Sequence, residues 1–347
     1  MKKISPLRPS QWLLLALLAV TLLLKNLPDA GEWYATHLYP GISYLLSCVA
    51  SMVPYSLTEL AVILGGGFIL VYLPYCLCRR RGWHGLWVVT QILVLYYVWF
   101  YLGWGLNYSR CNFYQRMAVT PVEADTTQFL AFLDEYTSQL EQTYVNIEDL
   151  DREMVIEEVR RLYAEVAPAE AALCQPQTWQ QPKRSLVNRL YSANGVLGFM
   201  GPFFCESHVN HSIMDEEFPF TFAHEYAHLM GISSEAEANY WAYYICTRSR
   251  VPEICYSGYY GLLPNVRSNL QAFMTYDEIQ AWWLGLNPHI RWTYRRDRVF
   301  WQQLRIAWID ELQTYFYNLF LKSNGIPSGL ANYNQVIQMV MSAQEKG

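Results

Sequence analysis

The sequence predicts a mainly α protein, with N-terminal transmembrane helices followed by a mostly helical domain that carries a small β element. Three observations point there. First, 52% of the 347 residues are hydrophobic and only 16% are charged, against about a quarter charged in an average soluble domain. Second, the mean hydropathy is only +0.02, too low for a chain buried in lipid throughout, and the long apolar runs all lie before residue 110. Third, apolar residues recur at helical spacing through most of the chain beyond residue 110.

The first apolar run covers about Gln11 to Leu24 and extends past Lys25, whose ammonium can reach the interface while its stem lies along lipid. It is short for a span and comes after Met1-Lys2-Lys3, as a signal peptide would. No small-residue cleavage site comes after it, so it reads as a retained anchor. The second run, Leu60 to Cys78, has no charge and holds Gly65-Gly66-Gly67, which membrane helices tolerate. The third, Gly82 to Ser109, has no formal charge and ends in a belt of Tyr101, Trp104 and Tyr108. Between them, Ile42 to Val53 is apolar but short, stopped by Pro54. An interfacial helix, a re-entrant piece and an amphipathic surface helix all fit it.

Lys2, Lys3 and Arg8 precede the first span, and Arg79, Arg80 and Arg81 separate the other two. The positive-inside rule puts both clusters in the cytoplasm. Three crossings then make a multi-pass protein of the cell membrane, with the C-terminal part on the extracytoplasmic side. A crossing by 42–53 would set the count against the charge rule.

The expected division is a membrane domain over 1–109 and a globular domain over 110–347. Helices are predicted over Val122 to Tyr144, Arg152 to Val166 and Trp301 to Leu321. The first carries Phe129, Phe132, Leu133, Tyr136 and Leu140 on one face. Pro168, Pro176 and Pro182 mark a loop region, and Val196 to Phe204 is the best strand. A net charge of −5 gives no reason to expect nucleic acid as a partner. The eight cysteines lack paired CxxC spacing, so neither a zinc ribbon nor a disulfide framework is expected. Nothing in the sequence sets the oligomeric state.

The chemistry-bearing motif is His224-Glu225-Tyr226-Ala227-His228. Residues i and i+4 share a helix face, so the two imidazoles can bind one Zn²⁺ at about 2.0–2.1 Å. Glu225, between them, is placed to act as a general base toward a water that the zinc activates. Pro219 suits the first turn of a helix, Gly231 suits its end, and Ala223 and Ala227 leave room for close packing. The bland alternative is a surface helix with two unrelated histidines.

A second helix is predicted to start at Ser233-Ser234-Glu235-Ala236-Glu237-Ala238-Asn239. Two glutamates compete to be the third ligand. Ser234 and Glu237 fit a capping box, which leaves Glu235 free to ligate. Asn239, one turn from Glu235, can orient a ligand from behind.

The H-E-x-x-H, short turn and E-x-x-A-N pattern resembles the gluzincin metallopeptidases, and that resemblance makes Glu235 the third ligand. Many gluzincins carry Asp where this chain has Asn239. Three further stretches, Trp104-Gly105-Leu106-Asn107-Tyr108-x-Arg110, Pro219-Phe220-Thr221 and Phe320-Leu321-Lys322-Ser323-Asn324-Gly325, resemble the bacterial membrane family called domain of unknown function 3810. That resemblance implies an integral membrane protein with a zincin-like domain and names no substrate.

The resulting expectation is a membrane-anchored zinc metallopeptidase acting on a peptide or protein, with zinc on His224, His228 and Glu235 and with Glu225 as base. The alternative is a non-catalytic membrane protein with a structural or vestigial zinc site, for which His208 or His211 would supply a fourth ligand. A transporter is a third reading, weakened by spans that lack charge away from their edges. Tyr256, Tyr259, Tyr260, Arg248 and His289 are candidate oxyanion donors. Glu206 is a candidate substrate contact, and Asn107 and Arg110 are candidate ties between span and domain. Val196 to Phe204 is either a core strand or an edge that pairs with substrate.

Overall fold

Three bare apolar helices dominate the N-terminal part of the chain. The computed structural model describes residues 8–27, 29–324 and 335–344; Lys2, Lys3 and Gly325 lie outside them. Helix α1 (Pro9–Asn26) begins with proline, whose missing N–H costs nothing in a first turn. A short α2 (Ala30–Trp33) runs through a π turn into α3 (Tyr39–Ser51). Helices α4 (Leu57–Cys78) and α5 (Gly82–Gly103) are joined at Arg79–Arg81 and pack on each other.

Helices α1, α4 and α5 are each long and apolar enough to cross a membrane. Leu13, Leu64, Leu70 and Leu93 stand exposed on them, an extent of apolar surface that a soluble fold does not leave bare. Helix α3 has 13 residues, about 20 Å of length against roughly 30 Å of hydrocarbon. It is held against the rest of the chain. Tyr39 is fully buried and donates to the Leu229 carbonyl at 2.8 Å, and Lys183 donates to the carbonyls of Ala50 and Val53. So the 42–53 segment is a helix packed on protein.

The remaining chain is helical apart from one hairpin. Helix α6 (Phe113–Met117) is capped by Asn112. Helix α7 (Thr126–Gln142) starts four residues later than expected. Its cap is Asp125, because the backbone of Val122 is engaged by Ser342 and Gln338 side chains. Its predicted face of Phe129, Phe132, Leu133, Tyr136 and Leu140 is buried. Helix α8 (Arg152–Glu165) is capped by Asp151, which accepts from Glu153 and Met154 N–H.

After a proline-marked loop come α9 (Asn188–Ala193), β1 (Gly198–Gly201) and β2 (Glu206–Val209). The strands pair antiparallel, Gly198 opposite Val209 and Gly201 opposite Glu206. The expected strand over 196–204 is therefore shorter: Pro202 has no N–H to give the ladder, and the chain turns to Cys205, whose φ is 50°.

Helices α10 (Phe218–Leu229) and α11 (Glu235–Cys246) form the centre of the fold, followed by α12 (Pro252–Asn269), α13 (Tyr276–Gly285) and α14 (Pro288–Leu304). The helix expected over Trp301 to Leu321 is broken. Arg305 and Ile306 are extended, and the Ile306 N–H donates to the Ala193 carbonyl at 2.9 Å instead of continuing the helix. Helix α15 (Ala307–Ser323) then starts afresh, and α16 (Val336–Gln344) packs against α11 and α12. All eight cysteines are free.

Candidate metal centre

Helix α10 presents His224, Glu225 and His228, and it lies against α8, α11, α12 and both strands. Ala223 permits close approach: Tyr163 of α8 donates to its carbonyl at 2.8 Å. The helix ends at Gly231, whose φ of +94° a side chain would resist. There the N–H groups of Gly231 and Ile232 return to the carbonyls of His228 and Ala227. Ser234 then caps α11, accepting from the Glu237 N–H. This tight turn brings the first residue of α11 back beside the two histidines.

The donor atoms converge. One ligand atom from each of His224, His228 and Glu235 lies within 4.8 Å of the others. The two Nε2 atoms are 3.2 Å apart. Glu235 Oε2 is 3.1 Å from His224 Nε2 and 3.6 Å from His228 Nε2. Tetrahedral zinc with bonds of about 2.0–2.1 Å separates its ligands by about 3.3–3.4 Å, so the donor set fits such an ion.

The opposite ring nitrogens are engaged with acceptors. His224 Nδ1 lies 2.8 Å from Asn239 Oδ1, and His228 Nδ1 lies 2.7 Å from the Ile232 carbonyl. These acceptors favour a proton on Nδ1 of each ring, which leaves Nε2 as the ligating nitrogen of the neutral imidazole.

Glu237 stands apart from this group. Its carboxylate is buried with the Arg116 guanidinium and accepts from Trp241 Nε1 at 3.0 Å. Among the described residues no fourth His, Cys, Asp or Glu joins the three. His208 lies on β2, stacked on Phe199 with 4.0 Å between ring centroids, and burial pushes its pKa down to about 3. His211 is exposed.

Glu225 is enclosed beside the cluster. A Cβ on Gly198 would lie 2.7 Å from its Cγ and Oε1, so only glycine lets β1 approach this closely. Glu225 Oε2 has no hydrogen-bond partner. Burial pushes its pKa up to about 7, the histidines opposing only in part. For His228, burial works against the charge. The Glu235 and Glu225 carboxylates outweigh it and lift the pKa to about 9. Burial would raise Glu235, but the two imidazoles overcome it and hold the carboxyl well below its usual range.

The cluster opens on a cavity of about 860 Å³. Gly198, Phe199 and Met200 of β1 line one side, Phe100 of α5 with Trp104 and Tyr108 just beyond it another, and Asp310, Gln313 and Tyr317 of α15 a third. Tyr317 donates to Glu235 Oε1. Its part in the site is invisible in the sequence, where 82 residues and no motif separate the two.

Of the expected oxyanion donors, Tyr260 lines the cavity, but its hydroxyl is given to Asp297 at 2.5 Å. Tyr256, Tyr259, Arg248 and His289 lie outside the lining. Arg248 stacks on Tyr244 and His289 on Tyr144. Glu206 is no substrate contact: it caps the start of α4, accepting from Leu57 and Thr58 N–H at 3.0 and 2.8 Å. Asn107 and Arg110 link the segment after α5 to the α10–α11 turn. Ser233 donates to the Asn107 carbonyl, while Arg110 pairs with Glu32 and donates to the carbonyls of Gly231 and Ala172.

Fold and cluster together define a mostly helical protein with three helices able to cross a membrane and a His–His–Glu group that can hold a metal ion. The chain belongs to the family described as "Protein of unknown function (DUF3810)", whose model matches residues 34–341. No curated protein and no solved structure matches it.

Proposed function

We propose that the chain is a membrane-anchored zinc metallopeptidase. The observation that carries this reading is the company Glu225 keeps: a buried carboxylate with one unpartnered oxygen, beside three metal-ligating side chains, on the wall of a large cavity. A structural zinc site uses four protein ligands and needs no base. Among the described residues three candidate ligands and one candidate base come together here.

In this reading His224 and His228 bind through Nε2 and Glu235 through its carboxylate. Zinc, when bound, supplies a Lewis acid that polarises a carbonyl and brings the pKa of a water to about 7. Glu225 takes the proton from the attacking water and delivers it to the leaving amine. Asn239 and the Ile232 carbonyl hold the two rings in the ligating tautomer. Tyr317 holds Glu235 from the cavity side.

In this reading the basic flanks of the spans face the cytoplasm, and the catalytic domain lies on the extracytoplasmic side of the cell membrane. External protease on intact spheroplasts should reach the globular part; protection there, with cleavage only after lysis, would reverse the topology.

The mechanism is tested by Glu225→Gln in the full-length protein. Zinc content should remain at one per chain while hydrolysis of a peptide library disappears. A variant that keeps wild-type turnover removes Glu225 from the mechanism.

A further inference from the structure

Helix α15 has two faces of opposite character. Trp308, Leu312, Tyr315, Phe316 and Leu319 recur at i, i+4, i+7, i+8 and i+11, one continuous stripe. All five are between 47% and 67% exposed. The opposite face carries Asp310, Gln313, Thr314, Tyr317 and Phe320, and all of these line the cavity of the candidate metal centre.

Both ends of α15 are fixed near helix ends that lie on one side of the membrane. At its C-terminal end, Lys25 of α1 donates to the Ser323 carbonyl at 3.2 Å, and Tyr101 of α5 donates to Asn324 at 2.6 Å. Phe320 packs edge-on against Phe100. At its N-terminal end, Ile306 bonds to Ala193, the last residue of α9. Helix α9 also carries Tyr191, which interacts with Glu59 in the first turn of α4. Asn26, Leu57 and Gly103 end or begin their spans on the same side, as three alternating crossings require. Helix α15, about 25 Å long, therefore reaches from the start of one span to the ends of the other two.

We propose that α15 is an interfacial helix, its outer stripe seated at the headgroup–acyl boundary of the bilayer and its inner face closing the metal-site cavity from the membrane side. The observation that selects lipid as the occupant is anchoring: the C-terminal end of α15 is bonded to the ends of α1 and α5, two helices whose own apolar side chains stand exposed. The stripe's composition, two aromatic hydroxyl or indole side chains among aliphatic and phenyl groups with Arg305 before the helix and Lys322 in its last turn, is that of an interface. For the peptidase activity, the placement selects polypeptide tethered to the membrane as the substrate class. That substrate class rests on the peptidase reading; the lipid contact does not.

The test places a diazirine-bearing residue at Leu312, at Phe316 or, for comparison, at the exposed Tyr276 of α13. The full-length protein is reconstituted in nanodiscs of phosphatidylcholine and phosphatidylglycerol. After irradiation, lipid adducts are expected at 312 and 316 at several-fold the yield at 276. All three side chains are exposed, and an unchanged thermal transition verifies each protein. Cross-links to a second copy, or to another segment of the same chain, would overturn the proposal. So would lipid yields no higher than at Tyr276. The adducts are read without turnover, so an inactive protein leaves this result standing, and a failed cross-link leaves the Glu225 result standing.

Discussion

Replacing Asn239 with alanine should weaken zinc binding without removing a ligand. Asn239 is buried, and its Oδ1 lies 2.8 Å from His224 Nδ1. That contact keeps the proton on Nδ1 and the lone pair on Nε2, where the metal would sit. In Asn239→Ala the buried N–H loses its acceptor, which costs about 1–3 kcal/mol. The ring is also free to take the wrong tautomer. Loss of such an outer partner typically costs about 10–100-fold in metal affinity, or about 1.4–2.8 kcal/mol, so the two figures agree. The assay is zinc competition against a chelator in the full-length protein, with thermal unfolding in parallel. Asn239→Asp should hold zinc at least as tightly as the native residue, because the acceptor stays and gains charge. An alanine variant with unchanged affinity would refute the orienting role. A loss as complete as that of His224→Ala would make Asn239 a ligand in its own right.

Arg116→Met should destabilise the fold by about 3–5 kcal/mol, because it leaves the Glu237 carboxylate buried without its cation; Glu237→Gln on top should recover much of that. Zinc content of the folded fraction should not change, and chemical unfolding with metal analysis reads both. His208 should contribute to acid unfolding. Its folded pKa, about 3, lies below the 6.5 of an unfolded histidine, so the unfolded state binds the extra proton between those values. The stability linked to His208 is thus complete above pH 6.5 and is lost as the pH falls toward 3. His208→Phe, which keeps the stacked ring, should flatten that slope in a pH series of unfolding midpoints. On the peptidase reading, Gly198→Ala should lower hydrolysis, since its Cβ would meet both the Glu225 carboxylate and the His208 carbonyl below 3 Å. An overpacking cost of about 1–3 kcal/mol corresponds to roughly 5–150-fold if it falls wholly on the catalytic carboxylate, and zinc stoichiometry should hold.

What could be read in advance was what depends on neighbours along the chain. The H-E-x-x-H spacing brings His224 and His228 to one face because helix geometry is local. The separation of Glu235 from Glu237 also came from local capping: Ser234 accepts from the Glu237 N–H as expected. The Glu237 carboxylate does not reach back to close the box, because Arg116, 121 residues away, has captured it. Tyr317 is the counterexample. It reaches Glu235 only because α14 breaks at Arg305, and that break depends on a hydrogen bond from Ile306 to Ala193. No periodicity in 301–321 announces it. Glu206 misled for a similar reason. An acid a short way before a motif invites a functional reading, yet its partners are the first N–H groups of α4, far off in sequence.

The ligand helix depends on the membrane-proximal segment at a specific place. The last carbonyls of any helix have no partners within it. In α10 they are met from outside: Trp104 donates to His228 at 2.9 Å and Tyr39 to Leu229 at 2.8 Å, and Arg110 donates to Gly231 at 3.0 Å in the turn beyond. Two of these three donors precede residue 110, and the third sits at the exit of the last span, held by Glu32. An unsatisfied buried carbonyl costs about 1–3 kcal/mol, against a total stability of about 5–15 kcal/mol for a typical domain. Without Tyr39 the buried Leu229 carbonyl would be left unsatisfied, a substantial fraction of that total, whereas without Trp104 the His228 carbonyl would keep the Gly231 N–H. Trp104 also presents its indole edge-on to the His228 ring, 6.2 Å between centroids. Any shift of α5 relative to α10 is therefore felt directly at His228, one of the three side chains that can hold a metal ion, which makes α5 part of the site's construction.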